Sequence, residues 1–181
     1  MEDLHRSSQL VRGGGDPYTG LRAGPSVTRS FARFYNKTQR IVDIFWVDYN
    51  GRHIRYCTLR GSGWFDVNTF VGHPWLFRDH HSGQRLVTLP DRKFVYFPAP
   101  PRTPRPNRRV VVIGIPVVSL EQRCIQVLRP FFEQRSEADL EELEVPWLLR
   151  SELKSAIISA IDYRLTLNQP PVLPQHQPPT S

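Results

Sequence analysis

From Phe31 to about Val118, apolar residues come in short stretches rich in Val, Ile, Phe, Tyr, Trp and Thr. Asn50-Gly51, Gly61-Ser62-Gly63, Gly72 and Ser82-Gly83 separate them. Such runs between turn signals predict strands, and several at this spacing predict a sandwich. After Pro116 the period becomes helical. Ser119 with Gln122 forms a capping box, and Leu120, Cys124, Val127, Leu128 and Phe131 then recur as one apolar stripe. Pro130 is expected to end this helix near Arg129. Ser136 with Asp139 signals a second helix. Pro146 opens a third, on which Leu149, Leu153, Ile157 and Ile161 repeat every four residues.

The predicted fold class is therefore α+β in two domains, an N-terminal β-sandwich over residues 30–117 followed by a small three-helix domain over 118–166. Residues 1–29, with Gly13-Gly14-Gly15 and no periodicity, read as a flexible leader, and the Pro-rich residues 167–181 as a disordered tail. The stretch Pro98 to Asn107 carries five prolines, which cannot donate ladder hydrogen bonds, and reads as an exposed loop. About 50 residues in three helices rarely bury enough apolar surface to stand alone, so the stripe on the first helix can serve an internal core or a partner.

Composition narrows the class. The chain has 181 residues, 39% of them apolar, enough for a packed core. The longest apolar run, Val110 to Val118, contains Gly114 and Pro116 and falls far short of the ~20 residues of a spanning helix, so no membrane span is expected. The N-terminus carries Glu2, Asp3 and His5 in place of an apolar signal core, so secretion is not expected. Cys57 and Cys124 form neither a disulfide framework nor a zinc pattern. A reducing intracellular setting, cytoplasmic and nuclear, is the expectation. The net charge of +7 conceals an uneven distribution: residues 1–30 carry +1, residues 31–115 carry +9 and residues 116–181 carry −3. A basic middle suits an acidic peptide partner steered in by charge. Nucleic acid is not expected, because the arginines are scattered singly and no RNA-binding signature accompanies them.

No catalytic constellation emerges. His80-His81 beside Asp79 lacks a third ligand at a usable spacing, no phosphate-cradling glycine loop or Gly-x-Ser-x-Gly turn occurs, and neither Cys has an evident His base. No enzyme activity, metal or cofactor is expected. The aromatic set carries more information. Trp46, Tyr56, Thr69, His73 and Trp75 lie on or just after successive predicted strands. If gathered, they would suit a prolyl ring: flat aromatic faces pack on the pyrrolidine while a hydroxyl and an imidazole meet a polar substituent. Ordinary core tryptophans are the competing reading.

The turn at Asn50-Gly51 decides whether they can meet. A two-residue type I′ turn sends Trp46 and Tyr56 to opposite faces of the hairpin. A three-residue loop, Tyr49-Asn50-Gly51 with Gly51 left-handed in a bulge, puts them on the same face. The bulged register is the expectation. Asn36, formally the start of the sequon Asn36-Lys37-Thr38, reads as a loop-bracing residue.

From Leu21 to about Leu153 the sequence resembles the von Hippel-Lindau tumour suppressor family, substrate receptors of cullin-RING ubiquitin ligases. The resemblance rests on Phe34-Tyr35-Asn36, Arg40, Trp46, the Asn50-Gly51 turn, Tyr56, the block Gly72-His73-Pro74-Trp75-Leu76-Phe77-Arg78-Asp79, and Ser119-Leu120-Glu121-Gln122-Arg123-Cys124-Ile125-Gln126-Val127. It implies a sandwich that binds a hydroxyproline segment of the hypoxia-inducible factor alpha subunit through Trp46, Tyr56, Val67, Asn68, Thr69, His73 and Trp75. It implies a helical domain that binds elongin C, with elongin B, through Leu120, Arg123, Cys124, Val127 and Leu128, and cullin-2 through Val145, Pro146 and Leu149. Thr69 stands where the family has Ser, Asn68 replaces a His, Phe70 a Tyr and Cys57 a Pro. The rival reading is a structural β-sandwich module that binds protein or nucleic acid without assembling a ligase.

Overall fold

The computed structural model describes Tyr18, residues 20–101 and residues 107–168. Most of the expected leader, the middle of the Pro-rich loop and nearly all of the expected tail lie outside the described residues. Among the described residues, eight strands precede three helices. The strands are β1 (Arg29–Asn36), β2 (Val42–Val47), β3 (His53–Leu59), β4 (Trp64–Phe70), β5 (Trp75–Asp79), β6 (Val87–Leu89), β7 (Val95–Tyr96) and β8 (Arg109–Gly114). The helices are α1 (Leu120–Phe132), α2 (Glu137–Glu141) and α3 (Trp147–Leu167). The α+β reading holds. One sheet has the order β4-β1-β8-β6 and the other β3-β2-β5-β7. All the pairings are antiparallel except β1 with β8.

Alternation explains why the sheets stack. Ala32 and Phe34 of β1, Val67 of β4, and Val111 and Ile113 of β8 meet Val42 and Ile44 of β2, Leu59 of β3, and Trp75 and Phe77 of β5 in one buried cluster. Successive strand residues point to opposite faces, so these positions form the inner layer. Asn36 is fully buried and braces the corner after β1. Its Nδ2 donates to the carbonyls of Arg40 (2.8 Å) and Arg60 (3.0 Å), while Oδ1 accepts from the Thr38 amide and hydroxyl.

The outer face of the second sheet is apolar as well, and the end of α3 covers it. Phe45, Val47 and Leu76 cluster there with Tyr18 and Tyr163, and Leu21 and Leu167 pack alongside. Within the stretch read as a leader, Tyr18 and Ala23 are buried against the sandwich. Aromatic burial there outweighs the local Gly/Ser composition that argued for a free coil.

α1 and α2 begin at capping boxes on Ser119 and Ser136, as their spacing predicts, and Pro146 is the N-cap of α3. α1 departs from expectation at its other end. It continues through Pro130 to Phe132, with Pro130 exposed in the last turn. The missing amide forfeits one bond to the carbonyl four residues back. Phe132, packed on the helical core of Ile125, Leu140, Leu153 and Ile157, holds the final turn in place.

One polar cluster ties α3 to the sandwich. Asp43 of β2 is fully buried, and its carboxylate accepts from the hydroxyls of Thr58 and Tyr163 and pairs with His80 Nδ1 at 2.8 Å. Several hydrogen bonds are what make a buried carboxylate tolerable. Burial and the Asp43 carboxylate push the Tyr163 phenol far above its usual range, so it remains a donor. The ring lies against Gly83, where an added Cβ would stand 2.7 Å from Tyr163 Cδ1. Tyr163→Phe is expected to destabilise the full chain by about 1 to 3 kcal/mol, because a buried acceptor loses a donor. Urea unfolding followed by tryptophan fluorescence measures it, and an unchanged midpoint would show that this bond carries no net stability.

Candidate binding site at the sheet edges

Strands β3 and β4 are the edges of their respective sheets. The rings of Tyr56 on β3 and Phe65 on β4 are 6.4 Å apart. Which side chains gather beside them follows from the β2–β3 turn. Gly51 has φ of +81°, a left-handed angle open to Gly at little cost, and its amide donates to the Asp48 carbonyl at 3.1 Å. The Asp48 carboxylate accepts from the amides of Asn50 and Arg52 and from Arg52 Nε, which closes a three-residue loop. These bonds hold the Asp48 carboxyl below the usual carboxylate range, against the opposing effect of burial.

The loop pairs Trp46 with Ile54, the expected bulged register. A second irregularity, which the sequence reading did not foresee, falls between Ile44 and Phe45. Ile44 pairs with Cys57 and Phe45 with Arg55, so Tyr56 is the extra residue. Trp46, Tyr56 and Cys57 all pack against the inner core. Burial, aided by Asp43, pushes the Cys57 thiol up to about 12, so that side chain acts as a small apolar filler.

The structure brings Trp46, Tyr56, Thr69, His73 and Trp75 together. Trp75 is 2% exposed, with its ring centroid 5.0 Å from Tyr56, and its indole nitrogen donates to Thr69 Oγ1 at 3.1 Å. Thr69 is buried, and that bond uses its oxygen as an acceptor while leaving its own proton to be given. His73 follows the left-handed Gly72, is buried, and stacks on Trp46 with centroids 5.5 Å apart and planes 28° from parallel. Phe70 leans on its ring at 5.3 Å. Burial lowers the His73 pKa and outweighs a hydrogen bond to the Gly24 backbone. Burial likewise raises Tyr56 and keeps its phenol protonated. Trp46 Nε1 is buried and has no hydrogen-bond partner.

Two residues expected at this site sit differently. The Val67 side chain belongs to the inner core at 3% exposed, and its carbonyl accepts from Arg108 Nη1 at 3.2 Å, so it contributes backbone rather than side-chain surface. Asn68 is exposed and also held by Arg108, at 3.0 Å. Sequence reasoning missed Ser26 and Tyr49. Ser26 Oγ lies 3.2 Å from His73 Nε2 and 2.5 Å from Tyr49 OH, and the Tyr49 ring meets both Trp46 and His73 edge-on. Nothing local signals Ser26, because its partners are 23 and 47 residues away.

On the helices, α1 divides its stripe. Leu120 (82% exposed), Cys124, Val127 and Phe131 face outward beside Arg123, while Leu128 is half-buried against the helical core. At the start of α3, Pro146 is exposed and Val145 half-buried; Leu149 packs on the core, and Leu153 lies within it. The exposed apolar side chains there are Trp147 and Leu148. Among the described residues, no three His, Cys, Asp or Glu side chains gather as a metal site requires.

A β-sandwich with a cluster of aromatic and polar side chains gathered at its sheet edges, continued by three helices with an outward apolar stripe, is the class of protein these features define. The family model described as the VHL beta domain matches residues 21–100. Protein Vhl of Drosophila melanogaster is 26% identical over 167 residues, which cover 86% of this chain and 93% of that protein. Over residues 21–100 the chain is thus similar to the VHL beta domain, and over most of its length to Protein Vhl.

The His73 environment has a consequence for pH. Because the folded ring binds its proton more weakly than the unfolded one, the folded state loses stability as pH falls below 6.5, the ordinary value. Titration of the His73 ring by NMR is expected to give a pKa below that value. A value at or above it would mean that water reaches the ring freely.

Proposed function

We propose that the protein is the substrate-recognition subunit of a cullin-RING ubiquitin ligase. It binds a hydroxyproline-containing segment of the hypoxia-inducible factor alpha subunit and docks to elongin C, with elongin B and cullin-2 completing the assembly in the cytoplasm and nucleus. The observation that carries the reading is the cluster of side chains at the sheet edges. Two indoles, a phenol, an alcohol and an imidazole converge there, with a spare hydroxyl proton on Thr69 and an unpartnered N–H on Trp46. A pyrrolidine ring fits between the aromatic faces, and its hydroxyl meets Thr69 and His73. An extended segment can lie along the open side of β4, an edge strand.

Selectivity for the hydroxyl follows from desolvation. Plain proline would cover the Thr69 hydroxyl and the His73 ring without pairing them, at a cost of about 1 to 3 kcal/mol per group. The charge of +9 over residues 31–115 suits an acidic guest and speeds encounter more than it prolongs residence. The outward stripe Leu120, Cys124, Val127 and Phe131 supports helix docking into an apolar groove of elongin C. Cullin-2 contact is assigned to Val145, Pro146 and the start of α3, with Leu149 acting from behind as support.

Thr69→Val is expected to collapse the preference for the hydroxylated peptide over its plain-proline counterpart. Isothermal calorimetry with the two peptides reads it; a preference that survives intact would remove Thr69 from hydroxyl recognition. Leu120→Asp is expected to lose elongin C in a pull-down from purified components without lowering the thermal midpoint, since Leu120 is exposed. Retained elongin C would assign the stripe to some other contact.

A further inference from the structure

The chain turns over the site at residues 23–28. Both ends of this strap are pinned: Ala23 N donates to the Asp48 carbonyl at 3.0 Å, Gly24 N to that of Gly72 at 3.0 Å, and Val71 N to that of Thr28 at 2.9 Å. Between the pins, Pro25, Ser26 and Val27 are exposed, with Val27 at 78%. The tip is attached through the Ser26 hydroxyl on His73 Nε2, backed by Tyr49 OH. The Nε2 end of the ring is thus engaged before any guest arrives, and a guest hydroxyl must displace Ser26 to use it.

We propose that Ser26 is an affinity latch: its hydroxyl occupies, in the empty site, the His73 nitrogen that a guest hydroxyl takes over on binding. Occupancy then exchanges one hydroxyl for another, while an unhydroxylated guest breaks the Ser26 bond and returns nothing. The latch sets the threshold of binding, and Thr69 and His73 set the preference. This rests on the hydroxyproline reading given above.

Calorimetry on the full chain with a hydroxyproline peptide and its proline counterpart tests both. Ser26→Ala removes the competitor from the empty state, so both peptides are expected to bind about three- to tenfold more tightly, with the ratio between them unchanged. Ser26→Thr, which restores a hydroxyl, is expected to return wild-type affinities. Unchanged affinities in Ser26→Ala, with the wild-type preference intact, overturn the latch alone. Weaker binding of the hydroxylated peptide also overturns it, and would make Ser26 a residue that stays on His73 and positions the ring. Equal or absent binding of the two peptides by the wild-type chain removes the hydroxyproline reading and the latch together.

Discussion

Gly51 holds φ at +81°, and that one backbone angle sets how β2 pairs with β3. Side chains alternate along a strand, so a register slip of one residue between β2 and β3 would turn Tyr56 to the other face, while Trp46 stays in place through its pairing with Trp75 of β5. The site would then lose the ring that packs edge-on against Trp75. The Asp48 carboxylate reinforces the angle by accepting two amides of the same turn. Further along, the extra residue at Tyr56 lets three consecutive functions share one strand: Arg55 outward, Tyr56 at the site and Cys57 in the core. Bulges re-aim side chains at edges, and here the edge is where recognition takes place.

The two domains are less separate than a boundary at Val117 implies. α3 has 21 residues and works for two cores, with Leu153 and Ile157 packed on α1 and α2, and Tyr163 on the sandwich. A helix that buries different faces at its two ends shows no single apolar stripe. The three-helix unit therefore does not rely on its own small core, because Tyr163 and Leu167 anchor it to β2 and β5 through Phe45 and Leu76. That anchorage leaves the outward side of α1 free of internal duties, which is how Leu120 remains 82% exposed.

Much of this was legible in the sequence. Capping boxes at Ser119 and Ser136, the β-rich runs, the bulged turn and the gathering of Trp46, Tyr56, Thr69, His73 and Trp75 follow from local chemistry and spacing, or from resemblance to the von Hippel-Lindau family. Other features were not. Pro130 lies inside α1 because Phe132 packs beyond it, and Tyr18 is buried because it packs with Phe45, Val47 and Leu76 of the sheet and Tyr163 of α3. Val67 faces inward because β4 alternates against β1, and Leu128 faces α3 although its spacing fits the outward stripe equally well.

What the sequence by itself determined is the set of elements and the chemistry each carries, since capping, turn geometry and alternation depend on neighbours within a few residues. The tertiary structure alone decided which faces would be spent on cores and which would remain exposed. It also placed Ser26 on His73 and seated Asp43 among Thr58, His80 and Tyr163. Those contacts join residues up to 120 positions apart. Their energies arise only when water is excluded between surfaces that the chain brings together last, and no local pattern encodes that exclusion.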